Sequence, residues 1–151
     1  MNDQGELWVI GQGVVSLGFI LLPAYPLPFV YPDLVKYSLV GVCGLAALVL
    51  IGGGLWYLGK NLTPLPHPKP DANLVTTGVY GWVRHPIYSG VIWLALGFAI
   101  WQGSLAHVLG TVGLMLFFDR KASREETWLM DKFPEYHAYQ QQVKKLIPFL
   151  Y

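Results

Sequence analysis

Three uncharged intervals set the terms on which this 151-residue chain can fold. No Asp, Glu, Lys or Arg occurs between Glu6 and Asp33, between Lys36 and Lys60, or between Arg84 and Asp119, intervals of 26, 23 and 34 residues. A helix needs about 20 apolar residues to cross a bilayer. Backbone groups in hydrocarbon must also be satisfied within their own segment, which favours helices. The first two intervals each hold one crossing. The third is too long for one, and Gln102-Gly103-Ser104 offers a turn near its middle. It reads as a hairpin of two shorter helices, Pro86 to Trp101 and Leu105 to Phe118. The expected fold is all-α: an integral membrane bundle of about four transmembrane helices with a C-terminal amphipathic helical tail. Residues 1–151 read as one domain, with two N-terminal helices in 1–60 and the remaining helices and tail in 61–151.

Composition agrees. The chain is 54% hydrophobic and 13% charged, whereas soluble domains carry about a quarter charged residues. A net charge of +1 gives a nucleic-acid partner no electrostatic support. Cys43, the one cysteine, excludes an internal disulfide and a cysteine-cluster zinc site, and reads as a small buried hydrophobe. Asp3 and Glu6 near the start argue against a cleaved signal peptide. With four crossings, the segment from Lys60 to Arg84 and the tail after Phe118 share one side. They hold nine of the ten basic residues, Lys36 being the other. The positive-inside rule puts both regions and both termini in the cytoplasm.

Local signals refine the picture. Pro23, Pro26, Pro28 and Pro32 end the first helix near Leu22 and leave an irregular connection to about Asp33. Gly11, Gly13, Gly41, Gly44 and Gly52 to Gly54 suit close helix packing in a membrane; Gly11-Gln12-Gly13 would alternatively admit a ligand to the backbone, and Gly52 to Gly54 would loosen the second helix. Pro64, Pro66, Pro68 and Pro70 alternate in a stretch, Asn61 to Asn73, that favours an extended strap. It is either a spacer or a pocket wall pressing Leu74 and Val75 toward the helix that starts at Pro86. His67 within it has no plausible co-ligands, and no metal site is expected. In the tail, Trp128, Leu129, Phe133, Tyr136, Val143 and Ile147 form an apolar stripe at helical spacing. Pro134 divides it and begins a second short helix, with Lys144 and Lys145 near the end. The bland reading is an amphipathic helix lying on the bilayer.

The run Leu74 to Gly90, LVTTGVYGWVRHPIYSG, carries the chemistry. Arg84 and His85 stand where water gives way to hydrocarbon, and Pro86 suits the first helical turn. Polar groups are costly at that boundary, so the cluster is either a site or a membrane anchor in which Arg84 snorkels. Glu125 and Glu126, beside Arg120, Lys121 and Arg124, are either a solvated helix face or binders of ribose hydroxyls or an ammonium.

Gly78-Val79-Tyr80, Arg84-His85-Pro86-Ile87-Tyr88 and Gly90, followed by Arg124-Glu125-Glu126, Leu129, Phe133, Glu135-Tyr136, Tyr139 and Ile147-Pro148, together resemble the isoprenylcysteine carboxyl methyltransferase and phospholipid methyltransferase superfamily. The match runs from Leu62 to Tyr151, with two separated motifs in order; the family often has Gly-Pro-Tyr where Gly78-Val79-Tyr80 stands. The resemblance implies an integral membrane methyltransferase that uses S-adenosylmethionine, with a lipid-like or small hydrophobic acceptor bearing a carboxylate or amine. Carried over by position, Leu74 and Val75 meet the adenine, Tyr80, His85 and Tyr88 surround the methionine half, and Gly78 is a further cofactor-binding position. Glu125 and Glu126 take ribose or amino groups, and Arg84 and His85 are the catalytic candidates, Arg84 holding a carboxylate by a bidentate contact. The end of the tail is also similar to membrane sterol reductases, which implies an alternative nicotinamide-dependent reductase. A non-catalytic membrane subunit of the same fold is the third reading. The oligomeric state is not legible.

Overall fold

The computed structural model describes residues 5–28 and 31–151; Asp3 lies outside them. Its helices are α1 (Glu6–Ile20), α2 (Asp33–Leu58), α3 (Pro86–Gln102), α4 (Leu105–Lys132) and α5 (Tyr136–Gln142), with 3₁₀ turns at Gly59–Asn61 and Gly78–Gly81. Among the described residues there is no sheet, only two isolated bridges. The all-α expectation holds. One helix, Asp33–Asn61, is long and apolar enough to cross a membrane by itself, while Glu6–Ile20 and Pro86–Gln102 are shorter apolar helices. The expected count of four crossings therefore does not follow from helix length alone.

Each boundary has a local cause. Pro86 opens α3 in its first turn, where a missing N–H costs no helical bond. Gly103 closes it in the left-handed region at φ 57°. Ser104 then caps α4: its Oγ accepts from the His107 backbone N–H at 3.5 Å and lies 2.8 Å from His107 Nδ1. The proline-rich connection after α1 is clasped to this hairpin, Leu27 N–H donating to Gly103 O and Leu105 N–H to Tyr25 O, both at 2.8 Å.

α2 packs on α3, α3 on α4, and α1 on α4. The α2–α3 approach is close because Gly54 has no side chain. A Cβ there would lie 2.8 Å from Ile87 Cγ1 and 3.3 Å from Pro86 Cγ. Gly52 to Gly54 do not loosen α2, which stays helical to Leu58. Small-residue packing accounts for only some of the glycines: Gly13, Gly41, Gly44 and Gly52 face open space. Ala95, Leu114, Phe118 and Leu146 form the core, flanked by Val15, Phe19 and Tyr88. Many of the large apolar side chains lie outside that core. Ile10, Val14 and Leu17 of α1 and Val42, Leu45 and Leu48 of α2 are exposed, an apolar girdle suited to hydrocarbon rather than water.

Two expectations are corrected. α4 does not stop at Phe118; it runs unbroken to Lys132, because Arg120 to Lys132 is rich in strong helix formers. The tail is not one amphipathic helix on the bilayer. Its stripe is divided among the end of α4, the seven-residue α5 and an extended segment from Val143, and α5 begins at Tyr136, not Pro134. Tyr136, Tyr139 and Leu146 are buried against the bundle.

Candidate active site

The tail is stitched to the segment that enters α3. Val83 bridges Lys144 in parallel, Arg84 N–H donates to Lys144 O at 2.8 Å and His85 N–H to Lys145 O at 3.2 Å. Lys145 Nζ then reaches Asp119 Oδ1 and Ser123 Oγ on α4, each at 2.6 Å, and the Tyr151 hydroxyl donates to Asp119 at 3.0 Å. Burial pushes the Asp119 carboxyl up, but these hydrogen bonds from Lys145 and Tyr151 outweigh it and hold it below its usual range. The tail thus forms a floor beneath the start of α3.

On that floor sits Glu126, buried, and it accepts from four groups. Arg84 Nε lies at 2.7 Å, His85 Nε2 at 3.0 Å, the Tyr136 hydroxyl at 3.3 Å and Gln140 Nε2 at 3.0 Å. Burial would raise its pKa, yet His85 and Arg84 reverse the effect and hold it at about 2. Arg84 also donates through Nη1 to the carbonyls of Gln140 and Val143. Arg84 is therefore a tie between three elements, not a snorkelling anchor.

Glu125 has different surroundings. It accepts from the Tyr88 hydroxyl at 2.8 Å, and His85 Nδ1 lies 3.8 Å from the same oxygen. The His85 and Tyr88 rings stack at 5.4 Å and 4°. Tyr80 is placed by the 3₁₀ turn, its hydroxyl directed at Gly54 O at 3.4 Å and its carbonyl accepting from Tyr139 at 2.6 Å. Burial, and for Tyr80 the Glu125 charge, pushes the hydroxyls of Tyr80, Tyr136 and Tyr139 up, so all three remain donors at neutral pH.

These groups border a cavity of about 260 Å³, near the lower end of small-molecule sites, about 300–1,000 Å³. Leu74, Val75, Tyr80, Arg84, His85, Tyr88 and Glu125 line it. Seven of the nine expected site residues are brought together. The strap is a wall, contributing Leu62, Leu65 and Pro66 among others. His67 lies against Trp128. Glu126 stands behind the cavity, and Gly78 is also outside the lining. Gly78 has φ 62°, and a Cβ there would lie 2.2 Å from the Tyr57 ring; it shapes the turn that presents Tyr80. Lys121 and Gln12 line the cavity as well and were missed as site residues. The signal for Lys121 was its place four residues before Glu125, one helical turn on the same face.

The donor set is amphipathic: a carboxylate, tyrosines and an imidazole at one end, and leucines, valine and prolines along the strap. Comparison with known proteins places this architecture. The phospholipid methyltransferase family model matches residues 36–136. The chain belongs to the phospholipid methyltransferase family. A probable protein-S-isoprenylcysteine O-methyltransferase of Oryza sativa subsp. indica is 31% identical over 96% of this chain and 80% of its own length. The Saccharomyces cerevisiae protein-S-isoprenylcysteine O-methyltransferase is 31% identical over 99% of this chain and 70% of its own. A solved structure of the eukaryotic intramembrane Ras methyltransferase, isoprenylcysteine carboxyl methyltransferase, superposes with a TM-score of 0.59 at 26% identity. The match takes in 96% of this chain and 52% of that one, so the chain spans about half of that protein. As a member of this family the chain is a membrane methyltransferase, and the reductase reading is not favoured.

Proposed function

We propose that this chain binds S-adenosylmethionine in the cavity between strap, α3 and α4 and methylates a lipid-like or small hydrophobic acceptor. The observation that carries the reading is Glu125. Among the described residues it is a carboxylate with one hydrogen-bond donor, Tyr88, at one end of a cavity whose strap wall is mainly leucine, valine and proline. That set fits the cofactor. The carboxylate suits an ammonium or ribose hydroxyls, stacked tyrosine and histidine rings suit a sulfonium, and the Leu74–Val75 backbone with the strap suits a flat base.

When bound, the cofactor supplies an activated methyl group for in-line displacement. Alignment then carries much of the acceleration, and alignment is what the chain provides. Tyr88 orients Glu125; Glu126 and the tail fix Arg84 and His85; the strap excludes water. A carboxylate acceptor needs no base. For an amine acceptor, His85 is the group beside the cavity able to take the proton, with Glu126 holding its Nε2 side. Arg84 acts chiefly as a positioning residue, since Nε and Nη1 are committed to Glu126 and the tail.

In the same reading the chain crosses the bilayer four times, with both termini and the cavity cytoplasmic. The nine basic residues near the cavity end support this, as does the clasp of Tyr25 and Leu27 with Gly103 and Leu105 at the opposite end. The acceptor enters sideways from the bilayer. The test is a tryptophan-fluorescence titration of purified protein with S-adenosylmethionine, S-adenosylhomocysteine and NADPH. Saturable binding of the first two and none of the third is expected; NADPH binding alone would return the protein to the reductase class.

A further inference from the structure

Lys121 is a lysine that the reading above does not use. It is 2% exposed, although it belongs to the charged half of α4. Its Nζ donates to the Gln12 side-chain oxygen from α1 and stands 5.1 Å from the centroid of the Tyr88 ring. Among the described residues it makes no ion pair with a carboxylate. An ammonium buried beside an amide and a ring, with Glu125 acting on it only through space, is costly to keep without a hydrogen-bonded counter-charge. Both Lys121 and Gln12 line the cavity, and Glu125 follows one turn later on the same face of α4. The cavity thus presents a cation near the Tyr88 ring and an anion at the Tyr88 hydroxyl.

We propose that Lys121, seated by Gln12, is the carboxylate-binding residue of this cavity. Together Lys121 and Glu125 make a receptor complementary to an α-amino acid, the ammonium end going to Glu125 and the carboxylate end to Lys121. The inference rests on the methyltransferase reading for the source of that carboxylate, which is either the amino-acid end of the cofactor or an anionic acceptor. It also gives α1 a function in the site: Gln12 carries the lysine to its place.

The test uses calorimetry on the full chain in detergent, with Lys121→Met and Gln12→Glu. Methionine keeps the length and removes a buried charge, a change that is often neutral or stabilising; glutamate places a fixed counter-charge on the ammonium. The probes are S-adenosylhomocysteine, 5′-methylthioadenosine (which lacks the amino-acid end) and dodecanoate against dodecylamine. If the carboxylate is the cofactor's, both variants lose about tenfold to hundredfold in S-adenosylhomocysteine affinity and keep methylthioadenosine affinity. If it is the acceptor's, S-adenosylhomocysteine is unaffected and dodecanoate binding falls by a similar factor while dodecylamine binding does not. Variants that melt like wild type and bind S-adenosylhomocysteine and dodecanoate unchanged overturn the assignment. Wild-type protein that binds neither adenosine probe overturns the methyltransferase reading instead, and the dodecanoate comparison still decides Lys121.

Discussion

Glu125 and Glu126 are neighbours in sequence and opposites in environment. A helix turns about 100° per residue, so one carboxylate faces the cavity and the other faces the seam between α4 and the tail. Their substitutions therefore separate two effects. Glu125→Gln weakens S-adenosylmethionine binding by about tenfold to hundredfold, the worth of one charge-assisted hydrogen bond, with the melting temperature nearly unchanged. Glu126→Gln leaves Arg84 buried without its counter-charge and costs about 3–5 kcal/mol of stability. Equal melting temperatures for the two variants would contradict this division. The pH dependence has a definite sign. The folded pKa of Glu126 is held at about 2 against an ordinary 4.5, so its contribution is present above about pH 4.5 and is lost as pH falls toward 2. Acid titration followed by tryptophan fluorescence shows that loss in the wild type and a flatter profile in Glu126→Gln.

At the scale of elements, the site depends on the distance between α2 and α3. Gly54→Val inserts side-chain atoms where a Cβ already meets Ile87 at 2.8 Å. Overpacking of this kind costs about 1–3 kcal/mol. Because Pro86 and Ile87 open the helix that carries Tyr88, cofactor affinity falls with stability; a stable variant that binds normally would show the contact to be slack. Much at this scale was legible. The charge gaps located α1, α2 and the hairpin, Pro86 marked the start of α3, and alternating prolines marked the strap that lines the cavity. The end of α4 was not legible, because the charge at Asp119 marks the edge of an apolar stretch and not of a helix. Nor was the tail, whose pairing with Val83 to His85 joins residues some sixty positions apart and leaves no local periodicity. Gly11-Gln12-Gly13 read as helix packing or as a ligand's approach to the backbone, not as a side-chain contact, since only the folded chain brings Gln12 to Lys121.

For the whole molecule, sidedness is the consequence that matters. With Cys43 replaced by serine, a single cysteine at Lys69 or His137 is expected to react with an impermeant reagent only from the cytoplasmic face. One at Gly103 is expected to react only from the opposite face. Labelling of Lys69 and Gly103 from the same side would contradict the four-crossing arrangement. Transfer of a methyl group from this cavity into the membrane has a direct readout. The most direct measurement reconstitutes the protein in vesicles made from a host membrane extract and supplies S-adenosylmethionine labelled in the methyl group. Label is expected in the organic-soluble fraction with wild type, with a large reduction for Glu125→Gln at subsaturating cofactor. Label that stays aqueous, or enters the organic fraction equally with both proteins, would contradict transfer from this cavity.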